Sequence, residues 1–193
     1  NGLATFGVLL VFVLLLSLRK LLKKSLRQLS THVGNVGKDT HWATPLALFE
    51  TIILALPLPL AIAAIAGLIS VGASSNGFSN AIATALATVS SLSLTLLFFR
   101  SMCRKNGIFV AHFAWSDTAR ATLGSLLTWF AWYQGAATFL FASAIASNQI
   151  ELRYGIAILA FIAMSLGIAI FSFHFFKPKT GVAVNIVGHK PKS

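Results

Sequence analysis

Apolar residues in this chain come in long runs separated by short polar segments. The runs lie at roughly 2–18, 45–71, 81–99, 123–145 and 155–176. A helix needs about 20 mostly apolar residues to cross ~30 Å of hydrocarbon, so the pattern predicts five transmembrane helices. The first run does not stop at the membrane. Leu22, Leu26, Leu29 and Val33 continue at helical spacing through a basic stretch, which predicts an amphipathic extension. Gly34 and Gly37 end it, and Lys38 with Asp39 marks a polar turn.

Within the runs, a few residues predict local departures. Pro45 suits a first helical turn. Pro57 and Pro59 lie inside the second run, and each removes a backbone donor, so a kink or short break is expected there. Segment 72–80 carries no charge and reads as a turn. The segment before the fourth run holds Phe109, Phe113 and Trp115, which predicts a stretch lying at the membrane interface. Ser116 and Asp117 then have the chemistry of helix N-caps. Trp42, Trp129, Trp132 and Tyr133 suit interface anchoring and packing.

Composition agrees with the pattern. Of the 193 residues, 56% are hydrophobic and 10% are charged, against about 25% charged in a soluble domain. The net charge of +11 would suit nucleic acid, but its distribution argues against that partner. Lys and Arg number six in 19–41, four in 100–122 and four in 177–193, against none in 72–80 and one, Arg153, in 146–154. Loops that stay in the cytoplasm retain Lys and Arg. The expected topology therefore has an external N-terminus and an internal C-terminus for this stretch. The first span carries no basic residues ahead of it, so it does not read as a signal peptide, and the chain reads as part of a longer polypeptide. Membrane lipids are the expected partners. Arg19, Lys20, Lys23, Lys24, Arg27, Arg100, Arg104 and Lys105, with Phe109, Phe113 and Trp115, are the candidate lipid and interface residues.

Candidate chemistry is sparse. Glu50 is the acidic residue within a span, near its inner end. Pairing with a loop cation, a gating or lipid contact, and ion coordination all remain open for it. His32, His41, His112, His174 and His189 have no metal-ligand spacing, and Cys103 is the single cysteine. No metal, cofactor or catalytic residue is expected, and no phosphate loop or nucleophile elbow is present. Thr84, Thr88, Ser90, Ser91, Ser93 and Thr95 form a polar row in the third span. It suits close helix packing, or lines a water-filled path. Ala63 and Gly67 make a close-approach face in the second span.

Two segments resemble a known family. Residues 19–60 read RKLLKKSLRQLSTHVGNVGKDTHWATPLALFETIILALPLPL, with a basic helical extension, a VGNVGKD turn and a span containing ALPLPL. Residues 107–127 read GIFVAHFAWSDTARATLGSLL, with HFAW ahead of a polar cap. Both resemble the inner-membrane domain of long members of the mechanosensitive channel of small conductance superfamily, and KPKTGV near the C-terminus is compatible. In that family a later Gly/Ala-rich helix lines the pore, a β-rich vestibule follows, and long members carry a periplasmic helical domain. None of these is read in this chain, so ions would pass through a pore outside it.

The expected fold is all-α, a single bundle of five transmembrane helices with cytoplasmic amphipathic extensions. The resemblance implies a bacterial inner-membrane location, a homoheptamer and a non-enzymatic role. That role is the peripheral, tension-sensing portion of a channel that opens on membrane stretch during hypo-osmotic shock. Pro57, Pro59 and Glu50 are the candidate kink and gating residues. A secondary transporter subunit would need buried mid-membrane charges and repeated halves. A non-conducting membrane scaffold would look nearly the same in this segment.

Overall fold

The computed structural model describes residues 6, 7, 10, 13, 17, 43–72, 77–104, 109 and 115–187, without the side chains of 43, 44, 46, 47, 50 and 185. Among these every regular element is helical: α1 Ala43–Ala55, α2 Pro57–Gly72, α3 Gly77–Met102, α4 Asp117–Ala146, α5 Ile150–Tyr154, α6 Ile156–Phe176 and α7 Val182–Val187. The described positions of the first run, Phe6, Gly7, Leu10, Val13 and Ser17, are helical as well. The main packing order is α2 on α3, α3 on α4 and α4 on α6, with α1 against α3 and α7 against both α4 and α6.

Burial is inverted relative to a soluble protein. The residues that α2, α3 and α6 bury are mostly small: Ala64 and Ala66, then Ala81, Ala83, Ala85 and Ser90, then Ala157, Ala160 and Gly167. Their large apolar side chains face out, among them Leu58, Ile65, Leu68, Leu159, Phe161, Ile162 and Leu166. Small residues let helix backbones approach, while lipid is as good a solvent for Leu as another Leu. A water-soluble fold would lose the hydrophobic stabilisation of every one of those outward side chains.

Two of the described helical stretches are long and apolar enough to cross a membrane, α3 with 26 residues and Ile150–Phe176 with 27. The second is α5 and α6 run together; Gly155, at φ −97° and ψ −83°, interrupts the helix between them. α4 has 30 residues, a length of about 45 Å, but Ser, Thr, Gly and Gln are spread along it and dilute its hydrophobicity. The expected second span is not one helix. It is α1 and α2, of 13 and 16 residues, separated at Leu56.

Helix ends follow local chemistry. Ser116, with φ −62° and ψ 150°, caps α4, and its Oγ accepts from the Ala119 N–H at 3.2 Å. Asp117 in the first turn complements the helix dipole. α4 closes with the Ser147 N–H donating to the Ser143 carbonyl at 3.0 Å. Asn148 follows at φ 57°, the left-handed position that ends helices.

Candidate functional site

The chemically distinctive part of the molecule lies where the α1–α2 break meets the corner between α3 and α4. Pro57 and Pro59 have no N–H to offer the carbonyls of Ile53 and Ala55. The Leu56 N–H takes up part of the deficit, donating to Ile52 at 3.2 Å and Ile53 at 3.4 Å. Both prolines are buried, and the Ser90 hydroxyl on α3 donates to the Pro59 carbonyl at 2.7 Å. In the Ser/Thr row, Thr84, Thr88 and Thr95 instead bond back to their own helix.

The break redirects the chain. Leu54 shares a small cluster with Met102, the last residue of α3. Pro59, five residues further on, meets Ser90, twelve residues earlier in α3. Two straight antiparallel helices would advance equally, at about 1.5 Å per residue. The difference is taken up at Leu56.

A cleft of about 750 Å³ opens beside the break. Its lining includes the apolar residues Leu54, Pro57, Leu58, Ala61 and Leu97 and the basic residues Arg100, Arg104 and Arg120. Arg120 is held firmly: Nη2 and Nε donate to Asp117 Oδ1 at 2.9 and 3.3 Å, and Nη1 donates to the Cys103 carbonyl at 3.1 Å. It thereby ties the start of α4 to the end of α3, seventeen residues back. Arg100 stands exposed in the last turn of α3, where a cation suits the helix dipole. Cys103, just beyond α3, is 5% exposed. Burial pushes its thiol up to about 11, although Arg120 and Arg100 both pull the other way.

Behind the corner, Leu96, Cys103, Leu123, Leu127 and Val182 form a cluster at the same end of the bundle. Phe109 and Trp115 stack at 4.2 Å and 13° and pack onto it. A second cleft of about 760 Å³ lies on the other side of α4, between Trp129, His174 and Lys177.

The expected site residues divide accordingly. Pro57, Arg100 and Arg104 come together in the first cleft, Pro59 lies outside it against Ser90, and Phe109 and Trp115 come together beside it. Glu50 is in α1, but its side chain is outside the described residues, as are Arg19, Lys20, Lys23, Lys24, Arg27, Lys105 and Phe113. Sequence reasoning missed Arg120, whose ties to Asp117 and Cys103 create the corner. It also missed Gln134 and Thr138 on α4, buried with side-chain oxygens that meet no hydrogen-bond donor among the described residues. An amide inside an otherwise apolar run was the available signal for Gln134.

The chain matches, over residues 3–193, the model of the family described as mechanosensitive ion channel inner membrane domain 1. It belongs to that family. The outward apolar surface and the clefts are therefore features of a channel's inner-membrane domain. A channel family of this kind is not an enzyme family. Neither a curated protein nor a solved structure matches the chain.

Proposed function

We propose that this mechanosensitive channel domain is the peripheral, tension-sensing part of its channel, and that it acts during hypo-osmotic shock. In this reading the chain crosses the membrane five times as a single domain, with α1 and α2 as one interrupted span. It sits in a bacterial inner membrane, with its N-terminal end periplasmic and its C-terminal end cytoplasmic. It surrounds, as part of a homoheptamer, a pore that other residues line.

The observation that carries the reading is the break at Leu56. Tension favours the state that occupies more membrane area, and bilayer thinning favours helices that tilt or shorten. A continuous helix resists bending because its hydrogen bonds are complete. α1 and α2 are joined at a point where two proline N–H donors are absent, so their mutual angle costs less to change. The ring of outward Leu, Ile and Phe side chains supplies the lipid contact through which tension acts.

Replacing Pro57 and Pro59 together with Ala tests this. Tension-clamped patches should show a shifted opening threshold and unchanged single-channel conductance. Changed conductance at an unchanged threshold would place the prolines at the pore and refute the sensor role.

A further inference from the structure

We infer that the arginine cleft beside the helix break binds a phosphate-bearing anionic group, supplied by the headgroup of an anionic phospholipid. Three guanidinium-bearing residues line one cavity, and among the described residues no carboxylate lines it. Asp117, the carboxylate at this corner, is engaged with Arg120 and its side chain is 77% exposed. Arg100 has no carboxylate partner among the described residues. Arginine suits phosphate because its planar fork offers paired N–H donors in the geometry of two phosphate oxygens. The Arg120 bonds to Asp117 and Cys103 fix that guanidinium at the cleft, use its Nε donor and leave one N–H each on Nη1 and Nη2.

The apolar part of the lining fits the rest of a lipid. Leu54, Leu58, Ala61 and Leu97 are apolar, and Leu58 is half exposed. A phosphodiester can face the arginines while its glycerol and first methylenes lie against these side chains. The cleft is also at the basic end of the bundle, where α3 ends, α4 begins and the α6–α7 turn carries Lys177 and Lys179. Cationic ends of spans sit at the cytoplasmic leaflet, so the cleft lies at headgroup depth. Because Pro57 lines the same cavity, an occupied cleft would brace the α1–α2 angle. The binding rests on the cleft's geometry; only its effect on opening rests on the tension-sensing reading.

The test is lipid binding to the purified intact protein, read by native mass spectrometry with phosphatidylglycerol, phosphatidylcholine and inorganic phosphate as separate probes. Arg100→Gln is exposed and removes one guanidinium. Lys179→Gln removes the same charge outside the cleft. Phosphatidylglycerol should bind the unaltered protein more tightly than phosphatidylcholine. Arg100→Gln should weaken phosphatidylglycerol about fivefold, the effect of one cation near an anionic surface, and Lys179→Gln should leave it unchanged. Arg104→Gln should reproduce the Arg100 result. If inorganic phosphate binds with the same Arg100 dependence while phosphatidylglycerol does not, the arginine–phosphate chemistry stands and its source is a soluble phosphate. Equal losses in Arg100→Gln and Lys179→Gln, or no preference for any phosphate-bearing anion, overturn the site. Opening thresholds of the same variants, measured separately, report on the tension reading alone.

Discussion

Cys103 shows how much a single residue's setting differs from its type. In sequence it is an isolated thiol in a polar loop. In the fold it is buried beneath α4, a Cβ placed on Gly124 would lie 3.5 Å from its own Cβ, and its Sγ donates to the Phe99 carbonyl at 3.4 Å. A buried thiol pushed from 9.0 to about 11 has about a hundredfold less thiolate at neutral pH. Maleimide labelling of the folded protein at neutral pH should therefore be far slower than labelling after denaturation; equal rates would mean that the corner is open. The sign of the linked stability follows. The fold favours the neutral thiol, so this contribution is complete below about pH 9 and is lost as pH rises from 9.0 toward 11. Arg120 is the complementary case. Its charge was visible, but its bond to a carbonyl seventeen residues away was not, because nothing in a local pattern specifies which carbonyl a loop cation will meet.

At the scale of the element, α4 and α6 meet at Gly167. A Cβ there would fall 2.5 and 2.7 Å from Tyr133 ring carbons and 3.0 Å from Gln134 Oε1. Real contacts of that kind do not occur, so the two helices touch at a point only glycine permits. One turn earlier the Tyr133 hydroxyl donates to the Ala163 carbonyl at 2.9 Å. Gly167→Ala should push the helices apart and cost about 1–3 kcal/mol, as overpacking does, read as a lower unfolding temperature in detergent. Tyr133→Phe, which removes one interhelical hydrogen bond, should cost about 0.6 kcal/mol. An unchanged melt for Gly167→Ala would contradict this packing. The break at Leu56 belongs to the same scale but has a different origin. It was legible in Pro57 and Pro59 because a missing N–H acts within one turn. The Gly167 contact depends on which helix lies alongside, and an Ala-rich, Gly-dotted sequence offers many equivalent faces.

For the whole molecule, charge asymmetry and helix ends describe one arrangement. Lys177 and Lys179 follow α6 at the end where the arginine cleft lies, and Arg153 lies in α5 before α6 begins. In a Cys103→Ser background, Arg153→Cys should react with an impermeant maleimide added to intact cells, and Lys179→Cys should react only after permeabilisation. The reverse pattern would invert the orientation and place the arginine cleft on the opposite leaflet. The tail adds a contact the charge pattern gave no hint of. Lys179 at φ 71° and the Gly181 N–H to Lys177 carbonyl bond, 2.8 Å, turn the chain, and Val182 is fully buried against α4 and α6.

What this chain's sequence determined by itself is what depends on near neighbours or on bulk solvent. The all-helical class and the membrane setting follow from run length, because a long apolar run cannot be left in water. The Ser116 cap and the Leu56 break follow from single donors and acceptors within a turn. The tertiary structure alone decided which distant residues meet: Ser90 with Pro59, Gly167 with Tyr133, Arg120 with Cys103, and Arg100, Arg104 and Arg120 around one cleft. In a membrane the driving force for helix association is close packing, since lipid already satisfies large apolar side chains. The partners are therefore chosen by the fit of small residues at specific depths, information spread over several helices that no local pattern contains.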